Sequence, residues 1–449
     1  MTATTERLVL LLATIALASC AVLPTLSPAT QKAAPATRGE RAVAALSART
    51  GDTLLERHLA DTETVLGSPI VAGNAARILV DGPQTHAEMF IAIRAAREHI
   101  NMVSYIVEGD EVGARFAEAL IARRRAGVTV NLMYDSVGSM ATPTEYFARL
   151  RAAGVNVCEF NPVNPARVRR GWRVNNRDHR KILVVDGHIG FAGGINVSSV
   201  YSAGSFGSGR RRAAPDEEQV PWRDTHVEIR GPAVAEMQRS FIDIWQQQRC
   251  SDLGESTRFF PKITDAGRLP VRIVTGGPER SDASHYLALL SAFTHAEQRI
   301  YITCGYFVPD PQLARALMDA AQRGVDVRLL LPSVSDFWAP LAAGRSHYAA
   351  MLAAGVKIYE RKEALLHAKT AVVDGVWSTI GSTNLDFRSF VHNEEANVVV
   401  FDDKFAGELE RLFHRDLKYS EEVNRDQWSR RGIGQRLQQW FARQFDYLL

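Results

Sequence analysis

The chain repeats itself, and this internal duplication constrains its fold more than any other feature. The first half contains ALIARRRAGVTVNLMYDS, RLRAAGVNVCEF and HRKILVVD, and the second half contains ALMDAAQRGVDVRLLLPS, MLAAGVKIYER and HAKTAVVD. The segments keep their order while the loops between them differ in length, which is how a duplicated domain behaves. The 449 residues are therefore predicted to form two similar lobes, each large enough to bury its own core.

Each half alternates helical segments with short β-branched segments such as GVTVNLMY and GVDVRLLL. This alternation predicts α/β lobes, each with a mixed β-sheet that is mostly buried between flanking helices. We expect five parts along the chain: a lipoprotein-type signal peptide at 1–19, a flexible tether at 20–40, an N-terminal lobe at 41–250, a C-terminal lobe at 251–425 and a basic amphipathic helix at 426–449.

The N-terminal segment predicts export. Arg7 precedes the apolar run LVLLLATIALAS, which suits the core of a signal peptide but is too short to span a bilayer. The run ends in Leu17-Ala18-Ser19-Cys20, which resembles the bacterial lipobox. This resemblance implies cleavage before Cys20, lipidation of its thiol, and a chain tethered in the bacterial cell envelope with its lobes outside the cytoplasm. An ordinary signal peptide and an uncleaved anchor are the alternatives.

The composition narrows the partners and the redox chemistry. A net charge of +3 and a pI of about 8.6 are only mildly basic, so they do not require nucleic acid as a partner. They remain compatible with a local basic groove. Four cysteines are too few for a disulfide scaffold, and no paired C-x-x-C metal pattern occurs. We expect Cys158, Cys250 and Cys304 to be buried or inert thiols.

The repeated phrase H-x-K-x4-D places basic side chains together. Side chains alternate faces along a strand, so His179 and Lys181 should point the same way. The same spacing relates His367 to Lys369 in the second copy. Each phrase therefore predicts a histidine and a lysine on one face of one strand.

A hairpin should follow each phrase. Asp186 and Asp374 are both followed by glycine, and Asp-Gly between strands is a strong hairpin signal. A returning strand then leads to Asn196 in the first copy and to Asn384 in the second, at the same distance from the histidine. Each hairpin is thus predicted to bring an asparagine back beside its histidine and lysine.

These residue types together suit phosphoryl transfer. Histidine serves as a nucleophile or a general acid, lysine holds anionic oxygens, and asparagine adds a neutral donor. Phosphoryl transfer requires attack at phosphorus, stabilisation of charge on the non-bridging oxygens, and a proton for the leaving oxygen. One copy alone could equally be a core histidine beside a surface lysine. Two copies with matched spacing favour one shared pocket with two histidines.

The motifs HRKILVVDGHIGFAGGIN and HAKTAVVDGVWSTIGSTNLDFRS closely resemble the phospholipase D superfamily, with similarity from about residue 74 to the end of the chain. WRDTHVEIRGPAV, GSTNLDFRSF and EEANVVVFDD resemble its bacterial cardiolipin synthase branch in particular. The resemblance implies a bilobal fold with one active site at the lobe interface, neither metal nor other cofactor, and a covalent phosphohistidine intermediate.

The resemblance also implies a role for each matching position. One histidine attacks phosphorus while the other protonates the departing alcohol, and we expect His179 to be the nucleophile and His367 the acid. The residues expected to bind the phosphoryl oxygens are Lys181, Lys369, Asn196 and Asn384. Asp224 and Glu394 match carboxylates that would each accept a hydrogen bond from the far ring nitrogen of a histidine. Asp186 and Asp374 complete the catalytic motifs, although we expect them to hold the hairpins rather than touch substrate.

Two further segments bear on membrane contact. A polar insertion at 202–219 contains Arg210, Arg211 and Arg212, which suit either lipid headgroups or a solvated loop. At the C-terminus, apolar residues recur near helical spacing from Ile433 to Leu448 with arginines beside them. This pattern suits an anionic membrane surface, or else a helix packed on the second lobe.

We therefore predict a phosphatidyltransferase of the cardiolipin synthase type, which transfers a phosphatidyl group from phosphatidylglycerol to a second phospholipid. Its partners would be phospholipids and a membrane surface, while the acceptor lipid and the oligomeric state stay open. Two alternatives keep the same site: a phospholipase D that uses water, and a phosphodiesterase acting on nucleic acid, against which the modest charge and the lipobox argue. A non-catalytic tethered scaffold is the alternative from another class, and two intact motifs argue against it.

Overall fold

The computed structural model describes residues 23–26, 36–62, 65–164, 173, 175–206, 220–254, 256–278 and 283–448. The predicted signal peptide, the predicted lipidation site Cys20 and the three arginines at 210–212 lie outside the described residues. Within the described ranges, every helix is too short or too polar to cross a bilayer.

The helices and strands alternate in both halves of the chain. The helices of the described residues are α1 (Arg38–Thr50), α2 (Leu54–Thr62), α3 (Asp81–Ala95), α4 (Glu111–Arg125), α5 (Thr144–Ala152), α6 (Val234–Gln247), α7 (Ser284–His295), α8 (Pro311–Gln322), α9 (Trp338–Ala353), α10 (Asp403–Leu417), α11 (Arg425–Ser429) and α12 (Ile433–Arg443). The strands of the first half are β1 (Val71–Val80), β2 (His99–Ser104), β3 (Thr129–Asp135), β4 (Asn156–Phe160), β5 (Arg177–Asp178), β6 (Ile182–Val185), β7 (Ile189–Gly193), β8 (Trp222–Arg223) and β9 (Thr225–Arg230). Those of the second half are β10 (Leu269–Gly276), β11 (Arg299–Cys304), β12 (Phe307–Val308), β13 (Asp326–Pro332), β14 (Lys357–Arg361), β15 (Leu365–Leu366), β16 (Lys369–Val373), β17 (Trp377–Gly381), β18 (Leu385–Asp386), β19 (Asn393–Phe401) and β20 (Ser420–Glu422).

One mixed sheet runs through both halves and shows their duplication directly. The strand order along it is β20-β14-β13-β11-β16-β17-β19-β10-β1-β9-β7-β6-β2-β3-β4. Read outward from the centre, β1-β9-β7-β6-β2-β3-β4 matches β10-β19-β17-β16-β11-β13-β14 strand for strand. The two halves meet where β1 pairs antiparallel with β10. The predicted fold class, two duplicated α/β lobes with mixed sheets, is confirmed.

Helices cover both faces of the sheet, as the apolar strands require. In β6, Leu183 and Val185 pack in the cluster that includes α3, α4 and α5. Their neighbours Ile182 and Val184 pack in the cluster that includes α6 and α10. Because successive side chains point to opposite faces, one short apolar strand contributes to both cores and is held rigidly.

The two Asp-Gly sequences form matching tight hairpins. Asp186 and Gly187 have φ values of 51° and 66°, and Asp374 and Gly375 have 52° and 69°. Positive φ at both central residues is the geometry of a type I′ turn, which follows the twist of the strands that it joins. These turns set the register of β6 on β7 and of β16 on β17.

The N-terminal helices differ from the predicted division of the chain. We expected residues 41–250 to form the first lobe, but Val43 and Leu46 of α1 and Leu54 and Leu55 of α2 are buried in a core cluster of the second lobe. Leu23, within the predicted flexible tether, is 8% exposed and packs in the same cluster. The prediction assigned these residues to the first lobe by their position in the chain, which does not identify the surface that covers them.

The prediction for two of the cysteines is wrong. Cys158, in β4, and Cys250, just after α6, form a disulfide with a Cα–Cα distance of 5.8 Å. Cys304 is a buried free thiol, as expected. Residues 158 and 250 are 92 positions apart in the sequence, so only the packing of α6 against the sheet brings them together.

Candidate active site

The two repeated motifs open into one cavity. Its volume is about 330 Å³, and both His179 and His367 line it. Asn196 and Asn384, which follow the two hairpins, line it as well. The folded chain therefore brings the polar groups of both copies into one pocket at the lobe interface.

Each histidine is oriented by a carboxylate from the opposite lobe. His179 Nδ1 donates to Glu395 Oε1 at 2.9 Å, and His367 Nδ1 donates to Asp224 Oδ2 at 2.7 Å. Both carboxylates are fully buried. Fixing the proton on Nδ1 leaves Nε2 of each ring as the nitrogen available for chemistry.

The sequence-based assignment of Glu394 is therefore corrected to Glu395. Side chains alternate along β19, so Glu395 faces His179 and Glu394 points to the other side of the strand. The backbone carbonyl of Glu394 still accepts a hydrogen bond from the His179 amide at 3.0 Å. The sheet register supplies the missed signal: β9 and β19 occupy equivalent positions, and aligning DTHVEI with EANVVV matches Asp224 to Glu395.

Short cross-lobe strand pairs hold this arrangement in place. β5, just before His179, pairs parallel with the start of β19. β8, just before Asp224, pairs parallel with β15, just before His367. The His367 amide donates to the Arg223 carbonyl at 2.8 Å, mirroring the bond between His179 and Glu394. Backbone hydrogen bonds thus connect each catalytic motif to the lobe that supplies its carboxylate.

The motif lysines are buried beside their histidines. Lys181 Nζ donates to the His179 carbonyl at 2.5 Å and lies 5.2 Å from the centre of the Tyr105 ring. Lys369 Nζ donates to the His367 carbonyl. Neither lysine is among the described residues that line the cavity, so both lie behind its wall, from where their positive charge would attract a bound phosphoryl group.

The two asparagines differ in how they are held. Asn196 accepts from the Ile106 amide at 3.1 Å and donates to the Tyr201 hydroxyl at 3.1 Å. Asn384 is buried, and within the described part of the chain its Oδ1 has no hydrogen-bond partner. Asn384 therefore lines the cavity with an unsatisfied side-chain oxygen, whereas the Asn196 side chain is already fixed by the protein.

Asp186 and Asp374 hold the backbone and lie away from the chemistry. Asp186 accepts from the amides of Arg97, Glu98 and His99 at 2.8 to 2.9 Å. Asp374 accepts from three consecutive amides at 297–299, each at 2.8 Å. Neither aspartate lines the cavity, so their contacts do not support the catalytic role that the motif suggests. Each instead anchors its hairpin to the start of the neighbouring strand in the sheet, β2 for Asp186 and β11 for Asp374.

Aromatic and charged residues that the motifs did not reveal complete the cavity. Tyr105 contacts the His179 ring edge-on at 5.0 Å, and Trp222 lies against the His367 ring at 5.1 Å. The Tyr201 hydroxyl lies 3.4 Å from His367 Nδ1. Asp386 and Arg388 line the cavity near Asn384. Asp386 and Arg388 lie in the quoted segment GSTNLDFRSF and Trp222 begins the quoted segment WRDTHVEIRGPAV, so both segments could have marked them. Tyr105 and Tyr201 lie outside the quoted segments and carry no spacing signal.

Burial makes the two histidine–carboxylate pairs electrostatically different. Burial, then Lys181 and Lys369, holds the pKa of His179 well below its usual value, while burial raises the pKa of Glu395. At the other pair, burial would raise the pKa of Asp224, but His367 and Lys369 outweigh it and the pKa is lowered. Burial also lowers the pKa of Lys181 to about 7. The two carboxylates are therefore shifted in opposite directions: the pKa of Glu395 is raised and that of Asp224 is lowered.

Across the described ranges, the His, Cys, Asp and Glu residues do not form any group of three or more that could hold a metal ion. The donors at the cavity are the imidazole rings and amides described above.

Known proteins share both the sequence and the fold. A family model described as "Cardiolipin synthase, PLD-like domain" matches residues 89–203 and 289–417. Cardiolipin synthase 1 of Bacillus cereus is 34% identical over 88% of this chain and 77% of its own length. Cardiolipin synthase A of Pseudomonas aeruginosa is 38% identical over 83% of this chain and 72% of its own.

A solved structure extends the similarity to the fold. The crystal structure of phosphatidylserine synthase from Haemophilus influenzae superposes with a TM-score of 0.64, covering 86% of this chain and 98% of the other at 12% identity. That identity level supports the shared fold alone. Together with the two matched segments and the paired motifs around one cavity, the sequence relatives show that this chain belongs to the cardiolipin synthase branch of the phospholipase D superfamily and is a phosphatidyltransferase of that type.

Proposed function

We propose that this phosphatidyltransferase uses phosphatidylglycerol as its donor and passes the phosphatidyl group through a covalent intermediate on His179. The observation that carries the proposal is the pair of oppositely oriented histidines, each fixed at Nδ1 by a carboxylate from the other lobe. This leaves two Nε2 atoms for the two tasks of the reaction: attack at phosphorus and transfer of a proton.

In the first half-reaction, His179 Nε2 attacks phosphorus and the bond from phosphorus to the glycerol oxygen breaks. His367 Nε2 gives its proton to that oxygen, so glycerol leaves as a neutral alcohol. The negative charge on the non-bridging oxygens is stabilised by Lys181, Lys369 and the Asn384 amide. The products of this step are phosphatidyl-histidine, glycerol and a deprotonated His367.

In the second half-reaction, the hydroxyl group of the acceptor lipid gives its proton to His367 Nε2. Its oxygen attacks phosphorus and the bond from phosphorus to His179 breaks, which restores both histidines. With phosphatidylglycerol as acceptor the product is cardiolipin. Water in the same position would yield phosphatidic acid, so the acceptor alone separates transferase from hydrolase.

The electrostatic difference between the pairs supports this division of roles. A histidine whose pKa lies well below its usual value is neutral and can attack phosphorus, which describes His179. Asp224 raises the pKa of His367 and partly offsets the effects of burial and Lys369. We therefore assign the proton transfer to His367, whose partner Asp224 favours the protonated form of the ring.

The roles can be tested with a donor whose leaving group needs no proton, such as a phosphatidyl ester of p-nitrophenol. His367→Ala should release p-nitrophenol and accumulate phosphatidyl-His179, detected by acid quench and peptide mass spectrometry. His179→Ala should do neither. A phosphatidyl group found on His367 in the His179→Ala chain would reverse the assignment. With phosphatidylglycerol, the unmutated chain should yield cardiolipin and glycerol, and formation of phosphatidic acid alone would overturn the transferase.

We infer that the enzyme works outside the cytoplasm, tethered through lipidated Cys20. The lipobox-like segment supports this location, and so does the Cys158–Cys250 disulfide, because disulfides persist in oxidising compartments. Mass spectrometry of the N-terminal peptide from envelope fractions tests the tether. An acylated Cys20 is the expected result, and an intact peptide beginning at Met1 would contradict it.

A further inference from the structure

The C-terminal helix α12 presents its apolar side to solvent. Ile433, Leu437, Trp440 and Phe441 are 76%, 60%, 62% and 53% exposed. They recur at helical spacing and therefore form one continuous face, which Phe445 extends beyond the helix end. We call these five residues the α12 apolar face.

The side of α12 that packs on the protein is small and polar instead. The buried residues of the helix are Gln439 and Ala442. Ala442 packs against Ala342 and Ala343 of α9, together with Val308. A helix normally buries its apolar stripe and exposes its polar one, and α12 does the reverse. The α12 apolar face is therefore shaped for contact with something outside the described fold.

The positive charge around the α12 apolar face favours an anionic partner. Residues 427–445 contain four arginines and no acidic residue. Arg430, Arg436 and Arg443 are exposed beside the apolar residues. Apolar side chains flanked by arginines match a bilayer surface that carries anionic headgroups, where the apolar groups enter the acyl region and the arginines meet phosphates. A protein groove would satisfy the apolar residues but gives no reason for the arginines.

The position of the helix relates this face to the active site. α12 packs against α9, which begins at Trp338, and the exposed Phe337 just before it lines the catalytic cavity. After α12, Tyr447 contacts Phe387 and His392 at ring distances of 5.6 and 5.5 Å, and their chain neighbours Asp386, Arg388 and Asn393 line the cavity. The C-terminal segment therefore packs against segments that form the wall of the pocket.

We propose that the α12 apolar face, with Arg430, Arg436 and Arg443, docks the enzyme on an anionic bilayer and holds the mouth of the catalytic cavity at the lipid surface. The proposal rests on the proposed function only in taking the substrate to be a bilayer lipid. It gives the enzyme a second membrane contact, independent of Cys20, that orients the cavity rather than merely retaining the chain.

Site-specific labelling tests the docking without requiring turnover. The full chain with Leu437→Cys is labelled with a polarity-sensitive fluorophore, and the matched control is Ile91→Cys, because Ile91 is a comparably exposed apolar residue of α3 at 53%. The unmutated chain gives the background labelling. Vesicles containing phosphatidylglycerol should shift the emission at position 437 to the blue, and spin-labelled acyl chains should quench it. Position 91 should show neither effect.

Charge and turnover provide two further readouts. Replacing Arg436 and Arg443 with glutamine should lower the affinity for anionic vesicles, measured by titrating the emission shift at position 437, by about fivefold for each arginine. Leu437→Glu should slow turnover of phosphatidylglycerol in vesicles by about tenfold, because the leucine can no longer be buried in the bilayer. The same variant should turn over a monomeric short-chain phosphatidylglycerol at the unmutated rate, since the cavity is unchanged.

The outcomes separate docking from catalysis. Equal emission shifts at positions 437 and 91, or no shift at 437 with anionic vesicles, would overturn the docking surface. A shift at 437 that appears without vesicles and grows with protein concentration would mean that a second copy covers the face, and would overturn it too. If the label inserts but cardiolipin is not formed, docking stands and the proposed function fails. Cardiolipin formation with an unshifted label overturns docking alone.

Discussion

The carboxylate beside each histidine makes the electrostatic environments of His179 and His367 different, although their motifs share the same pattern of residues. Asp224 raises the pKa of His367 through its charge and its hydrogen bond, against the lowering by burial and by Lys369. The matching residue on the other side is a glutamate whose own pKa is raised by burial. Burial and Lys369 lower the pKa of His367, and Asp224 opposes them by favouring the protonated ring that the departing alcohol requires.

Asp224→Asn should move the alkaline limb of kcat to lower pH. Without the carboxylate the pKa of His367 falls further, so the acid loses its proton at a lower pH than in the unmutated enzyme. We also expect kcat near neutral pH to fall on the order of 100-fold, because general acid catalysis is weakened. The pH dependence of kcat with phosphatidylglycerol measures both effects.

Glu394→Gln is the matched control for this experiment. Glu394 precedes Glu395 in β19 and points to the opposite side of the strand, so its replacement should leave the pH profile unchanged, whereas Glu395→Gln should lower kcat. An unshifted alkaline limb in Asp224→Asn, or a larger loss of kcat in Glu394→Gln than in Glu395→Gln, would contradict the assignment of the carboxylates.

The sequence identified some residues of the site and not others. The offsets within each motif predicted each histidine beside its own asparagine, because strand alternation and hairpin return are local rules. The single pocket for both copies, which the structure contains, was expected from the repetition and the family resemblance instead. The choice between Glu394 and Glu395 is not local. It depends on the register of β19 against β17, which a pair of adjacent glutamates leaves undetermined.

At the scale of elements, the hairpins act as braces for the catalytic strands. In each hairpin, the aspartate in the turn accepts hydrogen bonds from three backbone amides at the start of the neighbouring strand, β2 or β11. The turn at Asp374 thus ties β16, which begins at Lys369, to the adjacent β11. The geometry of the site depends on this brace, although the aspartate itself stays far from substrate.

Asp374→Ala should destabilise the fold far more than it impairs the chemistry. The three amides lose a charged acceptor, which we expect to lower the free energy of unfolding by about 3 kcal/mol. The surviving folded enzyme should keep a kcat close to normal when rates are scaled to active-site concentration. Chemical denaturation and steady-state kinetics check the two parts. A kcat reduced as strongly as in His367→Ala, with stability unchanged, would give Asp374 a direct catalytic role.

The order of helices and strands followed from the sequence, but the partners of two helices did not. The repeat and its apolar periodicity predicted both lobes and the Asp-Gly turns. For α1 and α2, their position in the chain could not identify the surface that covers their apolar residues. Those residues pack on α7 and on the sheet of the distant lobe, a contact that depends on the path of the chain between them.

At the scale of the whole molecule, the lobes are joined by three kinds of link: a sheet continuous through β1 and β10, short cross-lobe strand pairs, and exchanged carboxylates. The disulfide adds a covalent constraint inside the first lobe, between β4 and the end of α6. The pairing of Cys158 with Cys250 was not predictable, because a disulfide requires the two Cα atoms to be close in space. The sequence does not give the distance between residues that lie so far apart in the chain.

Reduction of the disulfide should destabilise the protein without removing any catalytic group. Closing a loop of this length restricts the unfolded chain, and we expect its loss to lower the free energy of unfolding by about 2–4 kcal/mol. Denaturant unfolding with and without dithiothreitol measures the effect, and Cys250→Ala should match the reduced protein. Cys304→Ala should stay sensitive to reductant. Identical unfolding curves under both conditions would show that the bond does not form.

The exchange of carboxylates also sets when the enzyme becomes active. Glu395 follows His179 by 216 residues, and His367 follows Asp224 by 143. Neither lobe by itself contains a complete histidine–carboxylate pair. We therefore expect a chain that ends before β19 to be inactive, because His179 would lack the carboxylate that orients it and β5 would lack its partner strand.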